Sequence, residues 1–459
     1  MRRSSVIAPL LLILIGIAFL TRNMWPDIPV ADLVSRYWPF LLIAWGALRL
    51  VEILVWAATS KPLPRSGISG GEWVMIIFLC IIGSTMYTAR HWSWMPNGRS
   101  LRGFMVNMGE SYDFTLAPSE KTVDKAPRIV IESFRGNARI TGIAGDQVKV
   151  SGRKTVRSFQ QPDADKANGQ TPLELVQQGT QLIVRTNQDR VNDDLRISED
   201  LEITVPKGSS VEAHGRTGDF DVRDVDGSVD IVSDNAGVRL DNIGGSVRTE
   251  VRRSDIVRAT GIKGSVELKG RGQDVDLQNI DGPVTINGEF LGQVQFRNLA
   301  QPLRFEGSHL ELHFDKLPGQ VHIAVGSFTG NNIVGPIRLN ARARDVQISD
   351  FTQALELTLD RGDIELRPGG KGPLPKMDVR TRSGDIDLAL PALAKFDLRL
   401  TTNKGEAHNE FGSPLSVEED HRGGAIVGSV GGGPQLRLQT DRGTATVRKS
   451  SDELKVQEQ

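Results

Sequence analysis

From Gly218 onward, apolar and polar positions alternate in a pattern that returns about every 18 residues. Counted from Asp219, apolar residues fall at offsets 1, 3, 6, 10 and 12: Phe220, Val222, Val225, Val229 and Ile231. The same offsets give Val238, Leu240, Ile243, Val247 and Thr249 from Gly237, and Val294, Phe296, Leu299, Leu303 and Phe305 from Gln293. Further units start at Ile256, Asp274, Glu311, Ser327 and Asp345, so successive steps are 18, 19, 18, 19, 18, 16 and 18 residues. Offsets 1 and 3, then 10 and 12, describe two short strands, each with one face inward and the other in water. Glycines at the bends, Gly218, Gly227, Gly245, Gly264 and Gly282, are expected to supply backbone conformations closed to residues with a Cβ. A single unit cannot bury its apolar face, whereas stacked units share one core. The pattern therefore predicts an all-β chain, a two-sided β-solenoid of roughly 18-residue two-strand coils. The offsets do not recur every six residues, which excludes a left-handed helix of three hexads per coil.

The flanks extend the architecture less regularly. Arg128–Glu132, Asn137–Thr141, Gln147–Ser151 and Asp200–Pro206 read as strands, and Glu174 to Arg185 reads as a hairpin behind a hydrophilic insertion, Gln160 to Gln170. Met377 to Leu388 and Leu436 to Val447 share one arrangement: an alternating strand, Thr-x-x-Gly, then a second strand. The solenoid is expected over 126–448, with a linker at 106–125 and a polar tail at 449–459.

The first 105 residues follow another rule. Uncharged apolar stretches at about 6–22, 38–58 and 72–89 approach the roughly 20 residues that span a bilayer, so about three transmembrane helices are expected. Trp25, Tyr37, Trp38, Trp56, Trp73, Tyr87, Trp92 and Trp94 lie near their ends, as interfacial aromatics do. No small-residue cleavage site follows Leu20, so the first stretch reads as an uncleaved anchor. Arg49 and Glu52, at i and i+3, read as an intrahelical ion pair in preference to a proton relay. Counting positive charges leaves the orientation nearly balanced. Arg2 and Arg3, abutting the first span, favour a cytoplasmic N-terminus and an extracytoplasmic C-terminal domain.

Two resemblances follow from these residues. Trp38-Pro-Phe-Leu-Leu-Ile-Ala-Trp-Gly-Ala-Leu48, behind the Trp25-Pro26 loop, resembles the LiaI/LiaF-type transmembrane region of bacterial envelope-stress proteins. The closing pattern, with Leu201-Glu-Ile-Thr-Val-Pro-Lys-Gly208 and Ser383-Gly-Asp-Ile-Asp-Leu388, resembles the toastrack family of adhesin-like bacterial proteins, which includes LiaG-like members. The second resemblance implies a β-solenoid surface domain of the cell envelope and no particular chemistry.

Composition narrows the function classes. With 55 basic and 56 acidic residues, and no basic run interleaved with aromatics, nucleic acid is not an expected partner. The single cysteine, Cys80, excludes an intrachain disulfide framework and a multi-cysteine metal site. Asp219, Asp255, Asp274, Asp345, Asp363 and Asp385 stand at bends, where aspartate is good turn chemistry, and no two units carry the calcium nonapeptide. His309, Glu311 and His313 form a candidate metal set on one strand, but alternate residues lie nearly 7 Å apart there, which suits a solvated polar face better. Nucleophile-elbow, P-loop and dinucleotide fingerprints are absent. No catalytic residue and no cofactor is assigned. The expectation is a non-enzymatic envelope protein whose partners are the lipid bilayer and an envelope protein or carbohydrate, with self-association a further option. Two alternatives remain open. One is a β-helical carbohydrate-active enzyme, which would need a charged strip such as Arg297, Arg304, Arg338 and Arg342; the other is a cytoplasmic scaffold stacking end to end through uncapped coils.

Overall fold

A computed structural model describes residues 110–450 except 192–194, 371 and 421, together with the helical positions Ile43, Ala47, Ile77 and Cys80. The chain divides into two units, Met1–Met108 and Gly109–Gln459. Apart from those four positions, the predicted spans at 6–22, 38–58 and 72–89 lie outside the described residues, as do Arg49, Glu52 and the tail beyond Ser450. Among the described residues no helix is long and apolar enough to cross a membrane.

The second unit is nearly all β. Successive strands alternate between two sheets and pair in parallel with the equivalent strand one coil away. In the first sheet Phe220–Val225, Val238–Ile243, Ile256–Ile262, Asp274–Ile280 and Val294–Leu299 are neighbours in that order. In the second, Ser210–Thr217, Val229–Asn235, Val247–Arg253, Val266–Gly272, Val284–Phe290 and Leu303–Glu306 run the same way. The pairings of each sheet form a single line. The predicted inward offsets become buried columns, one of them Val222, Leu240, Ala259, Leu277 and Phe296, another Val229, Val247, Val266, Val284 and Leu303. All belong to one continuous core. Thr249, at a position held by Ile or Leu in neighbouring coils, is buried with its hydroxyl unpartnered.

The bends are made differently from the expectation. Among the cited glycines only Gly218 has a positive φ, at 117°. Gly227, Gly245, Gly264 and Gly282 form a column in which an added Cβ would strike the backbone of the coil before, 2.5 Å from it at Gly264 and 2.3 Å at Gly282. Close stacking, not dihedral freedom, requires glycine there. The left-handed turns fall instead at offset 5, on Asp224, Asn242, Asn279, Asn298, Asn332 and Asp350, with φ between 52° and 56°. Asparagine and aspartate tolerate this region best among residues with a Cβ. The ladder is stitched by Asn242 Nδ2 donating to Asp224 Oδ1 at 2.7 Å and Asn298 Nδ2 to Asn279 Oδ1 at 2.8 Å.

The unit starting at Glu311 is buried as predicted but runs backward. Leu310–Phe314 turns back antiparallel on Leu303–Glu306 in the second sheet, and Leu317–Ala324 lies antiparallel to Val294–Leu299 in the first. A second hairpin into Ser327–Asn331 restores the direction, and Leu310–Phe314 is also antiparallel to Ile337–Ala343. Alternation at period 2 is the same read in either direction, so it could not show the reversal. The 16-residue step was its trace.

Both ends are finished by strands that leave the stacking order. Ala138–Ile143 pairs with Phe220–Val225, while Arg196–Pro206, later in sequence, covers its outer edge, followed by Gln147–Ser158 and Glu110–Thr122. The expected linker 106–125 is therefore strand over Glu110–Thr122; Tyr112, Phe114 and Leu116 alternate with Asp113 and Thr115 as an edge strand requires. The predicted hairpin forms from Glu174–Gln178 and Gln181–Arg185. The polar insertion is a ten-residue helix, Gln161–Gln170, whose Ala164 and Ala167 pack with Val156 and Ile197 in a small second core. At the far end Gln435–Thr440 slots between Met377–Thr381 and the earlier Phe396–Thr402, and the hairpin Ser416–Asp420 with Gly423–Val430 lies outermost.

Candidate functional site

The interior is filled by side chains, so the chemistry lies on the outer faces. Residues between the inward positions form rows in register across coils: Asp221, Arg239, Arg258 and Asp276 on the first sheet, and Asp230, Arg248 and Glu267 on the second. Their charges meet within and between coils, Arg223 with Asp221 at 2.8 Å and Arg258 with Asp276 at 3.1 Å. Such exposed pairs contribute little stability each. Hydrogen bonds from His214 and Arg128 hold the Glu212 carboxyl below the usual carboxylate range.

The bend aspartates have a structural task. Asp219, Asp274, Asp345, Asp363 and Asp385 each accept, through Oδ1, the backbone N–H of a residue in the neighbouring coil, at 2.7–3.0 Å. Asp255 makes the equivalent contact with its backbone carbonyl, which accepts from Asp274 N. Asp345, Asp363 and Asp385 edge an acidic groove of about 310 Å³ that also holds Glu365 and Asp387. There Arg448 donates to both Asp387 and Glu365, at 2.9 and 3.2 Å.

The candidate metal set is dispersed. His309 turns to Glu289, at 3.2 Å, and to Ser308; Glu311 accepts from Asn340 at 3.0 Å; His313 lies 3.8 Å from Glu311. Among the described residues no group of three or more His, Cys, Asp or Glu side chains could hold a metal ion. Of the four arginines of the predicted strip, Arg297 lies on the first sheet and Arg304, Arg338 and Arg342 on the second. The reversed coil places His313 directly between Arg304 and Arg338, in a groove of about 390 Å³ that also holds Glu356. Each arginine is tied to its own carboxylate, Arg304 to Glu306 and Arg338 to Glu356 at 3.0 Å. The two arginines of this row are thus neutralised in place, while His313 Nε2 is buried without a hydrogen-bond partner.

One buried pair lies where the alternation gave no sign of it. Lys154 and Glu199 are cross-strand neighbours, 1 % and 0 % exposed, with Nζ 3.3 Å from Oε1. Lys154 also donates to the Thr171 carbonyl, and to its hydroxyl at 3.1 Å, just past the helix Gln161–Gln170. The Glu199 oxygens have no hydrogen-bond partner. Burial pushes its carboxyl up to about 7, against the opposing pull of Lys154.

Comparison with known proteins places this geometry. The Toastrack DUF4097 family model matches residues 126–448, and the LiaF transmembrane domain model matches residues 7–96. No curated protein matches. A solved structure described as a "putative cell adhesion protein" from Clostridium sporogenes is 6% identical over 73% of this chain and 99% of its own, with a TM-score of 0.22, a likeness too slight to add to the fold described above.

Proposed function

Because the chain belongs to the Toastrack DUF4097 family and carries a match to the LiaF transmembrane domain ahead of it, we propose that it serves the cell envelope by presenting its solenoid outside the cytoplasmic membrane as a binding or scaffold surface, without catalysis. The chain is membrane-associated through its LiaF-type domain and nearly all β beyond it. The observation that carries the reading is the division between a solid core and two broad outer faces. The interior columns leave no room for a substrate, and the grooves open on the faces where charged side chains stand in rows. A face of this kind suits an extended envelope protein or carbohydrate laid across several coils. The LiaF-type domain is the ground for an envelope-stress role, and three spans with Arg2 and Arg3 inside would carry the solenoid across the bilayer. Stacking end to end is disfavoured: at the C-terminal end the first sheet ends on the three-residue strand Ala407–Asn409, and the second on Ser416–Asp420, which carries Glu418 and Glu419.

Protease added to intact spheroplasts tests the placement. It should trim the chain to a fragment near its first hundred residues, whereas a fully protected solenoid would overturn it.

A further inference from the structure

Along the central coils several outward arginines sit beside carboxylates: Arg248 by Asp230 at 3.7 Å, Arg258 by Asp276 at 3.1 Å, Arg338 by Glu356 at 3.0 Å. Where two arginines stand directly opposite there, as Arg239 and Arg258 do, each keeps its own carboxylate, Asp219 and Asp276. At the C-terminal end an opposed pair has no carboxylate in contact. Because Gln435–Thr440 slots in beside Phe396–Thr402, Arg437 comes to lie directly opposite Arg399 in a parallel pair. Adjacent strands are about 4.8 Å apart, so the two side chains leave the same face side by side. Like charges in direct opposition are destabilising, and a pair with no compensating carboxylate calls for another account.

No contact neutralises the pair. Among the described residues neither guanidinium has an ion pair or a hydrogen-bond acceptor. The other in-register neighbour of Arg437 is Asp378, which Arg380 holds at 3.3 Å. The other neighbour of Arg399 is Val427. Both arginines line an open groove of about 560 Å³, with Asp397, Ser416, Ser429 and Gln435. Asp397 lies two residues before Arg399 on the same face.

We propose that the Arg399–Arg437 pair binds phosphate esters, with the phosphate oxygens bridging the two guanidinium groups. Each guanidinium is a planar fork of donors, and a phosphate has enough oxygens to satisfy two forks at once. Asp397 is the one carboxylate of the groove and would accept a hydrogen bond from a hydroxyl of the esterified alcohol, which favours glycerol or sugar phosphates over bare phosphate. The inference rests on reading the sheet faces as binding surfaces and gives one of them a ligand class.

The test uses the full chain purified in neutral detergent, so its outcome does not depend on which side of the membrane the solenoid faces. Titration calorimetry with inorganic phosphate, with glycerol 3-phosphate, and with mixed micelles containing phosphatidylglycerol reads the site. Binding of glycerol 3-phosphate marks a soluble or polymeric ester as the source, and binding of the mixed micelles alone marks a lipid headgroup. Arg399→Gln with Arg437→Gln should weaken whichever binding is seen at least tenfold, and Arg338→Gln should leave it unchanged. Without ligand, Arg399→Gln should hold or raise the thermal midpoint, because it removes a like-charge pair. Equal binding by the double variant, no binding of any probe, or a lower midpoint for Arg399→Gln would each overturn the proposal.

Discussion

Phe296→Ala tests the stacked core at one point. Phe296 is fully buried in the first sheet, between Leu277 of the preceding coil and Val321 of the reversed one. Its ring also meets Phe305 of the second sheet edge-on, at 6.4 Å and 90°. Truncating a buried phenylalanine costs about 3–5 kcal/mol through lost burial and the cavity left behind. The edge-on contact accounts for about 0.5–1.5 kcal/mol beyond area burial. Gln295, one residue earlier, points outward, and Gln295→Ala should stay within about 0.5 kcal/mol. Coils touch only their neighbours, so the damage should begin as local opening. Hydrogen exchange on the full chain in detergent should show lost protection from about Asp274 to Ile323 in Phe296→Ala, with distant coils unaffected. Small and equal effects of the two substitutions would refute the inward register, and uniform loss of protection would refute nearest-neighbour stacking.

Three further outcomes follow from particular residues. Burial raises the Glu199 carboxyl from 4.5 to about 7, so folding favours its protonated form: this contribution, about 3 kcal/mol at full extent, is present below about pH 4.5 and lost as pH rises through about 7. Denaturation midpoints at pH 5 and 8 should differ more for the wild type than for Glu199→Gln, and an unchanged difference would remove Glu199 as the cause. Thr249→Val replaces a buried, unpartnered hydroxyl by a methyl and should stabilise by about 1–2 kcal/mol in chemical denaturation; a loss would mean that the hydroxyl has a partner. Melting with and without a chelator should give one midpoint, since the bend aspartates hold backbone amides; a large drop would restore a metal to them or to His309, Glu311 and His313.

What the sequence disclosed was whatever period 2 and a fixed step can carry. The inward columns from Val222 to Phe296 were legible because every coil repeats the same offsets. Strand direction was not, because Leu312, Phe314, Val321 and Ile323 satisfy the same alternation whichever way the chain runs. The left-handed ladder was readable and was overlooked: Asn242, Asn279, Asn298 and Asn332 all stand at one offset, but the glycines drew the bend to themselves. The burial of Lys154 was not legible, since it depends on a helix and on Glu199, 45 residues away. The opposition of Arg399 and Arg437 depends on a late strand entering beside an earlier one, a placement that no local pattern encodes.

The proposed function requires that the outer faces of the solenoid meet an envelope component outside the membrane. Photo-cross-linking residues placed at Gln347 on the first sheet and Thr358 on the second, both exposed, test it in living cells. Adducts with an extracytoplasmic protein or polysaccharide are expected from at least one face. Adducts with cytoplasmic proteins alone, or none from either face, would contradict it.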